Sequence, residues 1–101
     1  MAEAKVSMVV TAIPNPEQAE DMKAYLSQVV PILKGHGGEI ITRGKADKAI
    51  VGEVNFAMVL LMNFPSTEAI ETAFASAEYQ KIVPHRDRGF KKMDVVVLAD
   101  L

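Results

Sequence analysis

The chain has 101 residues, 50% of them apolar and 24% charged, with a formal net charge of −2. That is a globular composition, enough for one domain over residues 1–101. It carries no positive excess to draw in nucleic acid or an anionic membrane. The absence of cysteine excludes disulfides, thiolate metal sites and a cysteine nucleophile.

In chain order, residues 5–13 are β-branched and bounded by Pro14, which predicts a first strand. Asn15 sits at an N-cap position, Pro16 at the first helical position and Gln18 at the third, an arrangement that opens a helix. Met22, Tyr25, Leu26, Val29, Val30 and Leu33 keep helical spacing up to Gly35, with a bend expected at Pro31. Gly37-Gly38 leads into a second strand, Glu39 to Gly44, and a polar hairpin region follows around Lys45 to Lys48. A third strand is predicted from about Val54 to Phe64. Ser66 caps a second helix through Phe74, and Ser76 restarts a short one ending at Pro84. His85 to Lys92 reads as polar and irregular, and Met93 to Ala99 as a fourth strand.

The halves repeat. Ile13-Pro14-Asn15-Pro16-Glu17 and Phe64-Pro65-Ser66-Thr67-Glu68, 51 residues apart, each follow a strand and open a helix. The order βαββαβ predicts an α+β, ferredoxin-like antiparallel sheet with helices on one face. Strand three is apolar at both even and odd positions (Met58, Leu60 and Met62 against Val59 and Leu61), and strand four does the same with Val95 and Val97 against Val96 and Leu98. Two helices cover one face of such a sheet, so the second apolar face implies a homodimer. The longest apolar run, Phe56 to Met62, is too short to span a membrane. Met1-Ala2-Glu3-Ala4-Lys5-Val6 lacks the basic and apolar segments of a signal peptide, so a cytoplasmic location is expected.

Asn15-Pro16-Glu17, Lys23-Ala24-Tyr25, Gly37-Gly38-Glu39 and Thr42-Arg43-Gly44 resemble the first half of the family called domain of unknown function 1330. Phe64-Pro65-Ser66, Ser76-Ala77-Glu78-Tyr79-Gln80 and Arg86-Asp87 resemble its second half. The resemblance implies a dimeric α+β barrel, in which ferredoxin-like subunits pair through their sheets. It also implies a small-molecule-binding protein or a cofactor-independent enzyme of oxygenase or isomerase type, the alternative being a non-enzymatic sensing or structural dimer. The family often carries an acidic residue where this chain has Asn63, so no carboxylate base is expected there.

Arg43, between strand two and a glycine, is the first candidate for holding a small anionic or aromatic ligand, against the plainer reading of an edge-strand charge. Arg86 belongs to a basic cluster with Arg88, Lys91 and Lys92. Tyr25 and Asn63 complete the ligand-contacting candidates. His36, in the Gly-rich turn after the first helix, and His85, two residues before Asp87, are the candidate proton movers. The two histidines are 49 residues apart without a paired spacing, so neither metal nor other cofactor is expected.

Overall fold

The computed structural model describes residues 5–99. Strand β1 (Val6–Pro14) leads through a 3-10 turn (Pro16–Gln18) into helix α1 (Ala19–Gly35). Asn15 Oδ1 accepts the Glu17 N–H at 3.2 Å, so the expected cap stands on the turn that precedes the helix. Helix α1 continues through Pro31, and the chain reverses at Gly37, whose φ of +95° suits glycine. Strands β2 (Glu39–Lys45) and β3 (Met58–Phe64) follow, then α2 (Thr67–Ala75), α3 (Ala77–Gly89) and β4 (Phe90–Leu98). Ser66 and Ser76 cap α2 and α3, their hydroxyls accepting the Ala69 and Tyr79 N–H groups at 3.1 and 3.2 Å.

The four strands form one antiparallel sheet in the order β2-β3-β1-β4. This is the ferredoxin-like arrangement, with the two chain halves interleaved. Met8, Ala12, Met62 and Phe64 point to the helices and are buried with Tyr25, Val29, Leu33, Ile70, Tyr79 and Ile82. Burying this set away from water is the main source of stability. Val9, Thr11, Val59, Leu61, Val96 and Leu98 share the opposite face by strand register. The Cα trace is only 15 Å deep, room for one helix layer on one sheet.

Two boundaries differ from the sequence reading. Strand three begins at Met58, not Val54, because residues 46–57 form a long connection. It turns at Gly52 (φ +81°) and closes with an Ala46 N–H bond to the Ala57 carbonyl. Val54 therefore lies outside the sheet. The segment from His85 is not irregular either: α3 runs through Pro84 to Gly89, and β4 starts at Phe90. The polar side chains that suggested a loop find partners on α1 and within α3, so tertiary contacts hold the helix past its proline.

Candidate functional site

Between α1 and the helix-facing side of the sheet lies a cavity of about 290 Å³. Tyr25, Val29 and Leu33 supply one wall, Val10, Met58, Leu60 and Met93 another, and Phe74 and Phe90 the end. Arg43, Gly44 and Lys45 complete the lining from β2. A bulge delivers Arg43 to this side. Ile40 pairs with Met62 while Thr42 pairs with Leu61, leaving Ile41 without a partner. Arg43 then pairs with Leu60 and Lys45 with Met58, both on the face that looks toward the helices. Neither cation forms an ion pair among the described residues, and no acidic side chain among them lines the cavity.

The buried side of Tyr25 carries a hydrogen-bond chain. Its hydroxyl lies 2.9 Å from that of Tyr79, and Arg86 donates to the Tyr79 oxygen at 3.1 Å. The Arg86 guanidinium also sits over the Tyr79 ring, 5.8 Å from its centroid, and is held by Asp87 at 3.2 Å. Phe90 meets Tyr25 edge-on at 5.5 Å, and Phe74 meets Tyr79 at 4.6 Å. Burial pushes the Tyr25 phenol far above its ordinary range. Tyr25 is therefore a neutral donor at any physiological pH and not a base.

Residues 8–101 match the family model described as domain of unknown function (DUF1330). The chain belongs to that family. Among solved structures, this DUF1330 chain is similar to the RPA0582 protein of Rhodopseudomonas palustris, with a TM-score of 0.81 and 20% identity over 99% of this chain and 85% of the other. It is also similar to a protein of Nitrosomonas europaea provisionally assigned as an antibiotic biosynthesis monooxygenase (TM-score 0.68, 12% identity, 100% and 94% covered). A nipsnap family protein of Agrobacterium tumefaciens is a third (TM-score 0.66, 14% identity, 97% and 89% covered). At these identities the likeness establishes the fold. No curated protein matches the sequence.

Of the residues singled out in the DUF1330 sequence, Arg43 and Tyr25 meet at the cavity, and Arg86 stands behind Tyr25 through Tyr79. The other three lie elsewhere. Asn63 is on the opposite face of the sheet, where its Oδ1 accepts the Ser7 hydroxyl at 2.8 Å. His36 caps the end of α1, its Nε2 4.0 Å from Glu78. His85 is 2.8 Å from Asp21 through Nδ1 and does not line the cavity. Among the described residues no cluster of three or more metal-ligating side chains is present, and no helix is long and apolar enough to cross a membrane. Sequence reasoning passed over Lys45, although its spacing of two from Arg43 puts both on one face of a strand. It also passed over Asp21, whose partners His85 and Arg88 are distant in sequence.

Asp21 instead serves the fold. Arg88 grips its carboxylate with two hydrogen bonds of 3.0 Å, and His85 adds a third contact. The Arg88 bonds first, and His85 second, lower its pKa from 3.8 to about 2. A depressed carboxylate contributes stability that is present above its unfolded pKa and lost as pH falls through the folded one. The wild-type protein should therefore melt above Asp21→Asn at neutral pH, with the gap closing between about pH 4 and pH 2. Melting curves of both proteins across that range test this; a gap that stays constant to pH 2 counts against it.

Proposed function

We propose that this protein is a homodimeric small-molecule-binding protein whose ligand is a small amphipathic anion. Its carboxylate lies against Arg43 and Lys45, and its flat apolar body lies between α1 and the sheet. The observation that carries this reading is the cavity lining: an apolar chamber whose charged lining residues, among those described, are two cations without ion-pair partners. A guanidinium at the rim of an apolar space binds a carboxylate in fork geometry while the space takes up the apolar remainder. A volume of about 290 Å³ is at the low end for ligand pockets and suits a compound smaller than a typical drug.

Catalysis of the oxygenase or isomerase kind, suggested by the assignment of the Nitrosomonas europaea neighbour, would begin with proton removal. No histidine or carboxylate among the described residues lines the cavity, and Tyr25 is held neutral. These features favour binding over turnover. The second, open sheet face supports the dimer. Val9, Val59 and Leu61 are only half-buried there, and Val96 and Leu98 remain 47% and 45% exposed in the single chain. A second copy placed sheet against sheet, as the resemblance to dimeric α+β barrels implies, would cover this patch.

Arg43→Ala is the direct test. Loss of a charged hydrogen bond of about 1.5–3 kcal/mol should weaken binding of para-isopropylbenzoate roughly tenfold to a hundredfold. Because Arg43 is exposed, the melting temperature of the free variant should stay within a few degrees of wild type. Calorimetric titration showing equal affinity for both proteins would remove Arg43 from the site.

A further inference from the structure

The Tyr25–Tyr79–Arg86 chain has one proton more than it uses. Each phenol owns a single O–H, and the two hydroxyls share one hydrogen bond of 2.9 Å. One phenolic proton is therefore left over, and neither hydroxyl has an acceptor elsewhere among the described residues. Which tyrosine holds the spare proton follows from their surroundings. Tyr79 is 1% exposed and lies outside the cavity lining; a spare O–H there would be buried without an acceptor, a state that proteins avoid. Tyr25 lines the cavity. Arg86 already donates to the Tyr79 oxygen, which polarises that hydroxyl to donate onward. The direction is then Arg86 to Tyr79, Tyr79 to Tyr25, and Tyr25 into the cavity.

We infer that Tyr25 presents a hydrogen-bond donor to the ligand, so that the ligand class is an oxo- or hydroxy-substituted carboxylate, with an acceptor oxygen reaching Tyr25 and its carboxylate at Arg43 and Lys45. This rests on the binding reading above and narrows it. Arg86 acts as a positioning residue: it touches no ligand and fixes the direction of the chain. The selection works through the penalty for mismatch. A ligand without an acceptor leaves the Tyr25 proton unsatisfied in a dry site, and the site disfavours it.

The experiment compares para-acetylbenzoate with para-isopropylbenzoate, which have similar shapes but differ in the acceptor, by calorimetric titration on wild type, Tyr25→Phe and Arg43→Ala. Wild type should bind the acetyl compound about fivefold more tightly, the equivalent of one ordinary hydrogen bond. Tyr25→Phe should abolish the preference, the isopropyl compound binding more tightly once no phenol proton is left unsatisfied against it and the acetyl compound losing its partner. If both compounds bind through Arg43 but equally, or if the preference survives in Tyr25→Phe, the donor assignment is overturned and the binding reading stands. If neither binds, both are overturned. A second readout needs no variant: the chain has two tyrosines, so labelling tyrosine at Cζ gives two resonances. The Tyr25 resonance should move with the acetyl compound and far less with the isopropyl one; equal movement overturns the assignment.

Discussion

Gly89→Ala should lower the melting temperature by roughly 12 °C or more, equivalent to about 3 kcal/mol in a domain of this size. Gly89 ends α3 where it crosses α1, and a Cβ there would lie 2.6 Å from the Met22 nitrogen, 2.8 Å from its Cα and 3.0 Å from the Asp21 carbonyl carbon. All three are backbone atoms, so no rotamer change relieves the collision. Overfilling a core of movable side chains costs about 1–3 kcal/mol, and a rigid contact belongs at the top of that range or beyond. Relief requires α3 to move off α1. That would strain the Asn15 N–H bond to the Gly89 carbonyl, the grip of Arg88 and His85 on Asp21, and the seat of Phe90 against Tyr25. Gly35→Ala is the control. Nothing lies within 4 Å of its added Cβ and it sits in the last turn of α1, so that variant should be neutral or gain a few tenths of a kcal/mol. A Gly89→Ala protein melting within about 3 °C of wild type would mean that the helices part easily there.

Features written in local spacing were legible. Asn15, Ser66 and Ser76 cap as their sequence contexts suggest, and the repeat across the two halves carries the βαββαβ order. Features decided by contacts between distant residues were not. Strict alternation along β2 would put Arg43 on the face opposite Ile40, and only the unpaired Ile41 turns both toward the helices. A bulge is a property of two strands, so one strand's residues do not announce it. Polar residues after Pro84 read as a loop because their partners, Asp21 on α1 and Tyr79 a turn and more earlier, are distant or hidden. The sequence likewise hid that the ring of His85, a candidate proton mover, is tied to Asp21 and stands outside the cavity lining. Tyr25 was visible as a pocket aromatic. The hydroxyl chain that gives it a direction joins residues 54 apart and appears only once the helices are packed.

Leu61→Asp should weaken the proposed dimer at least a hundredfold. Leu61 sits in the central strand β3, with Val9 of β1 on one side and Thr42 of β2 on the other, on the face without helices. In the separate chain it is half-buried, so a carboxylate there stays partly hydrated and the subunit should keep its fold. Sheets pressed face to face would remove that water. Among the described residues the carboxylate would lack an unpaired cation on its own face nearby: Arg43 points to the other side, Lys5 is taken up by Glu39 at 3.7 Å, and Lys92, near the strand end, by Asp94 at 3.6 Å. An unpaired charge moved into such an interface costs several kcal/mol, and a two-fold axis makes each dimer carry the cost twice; about 2.8 kcal/mol already gives a hundredfold. Sedimentation at graded concentrations reads the effect. Melting should become independent of protein concentration in the variant while it rises with concentration in wild type. Equal sedimentation of the two proteins would mean that this face is not where subunits meet. Val96 and Leu98 of β4 would then face water in the working protein, a surface that an edge strand carries only at the risk of aggregation.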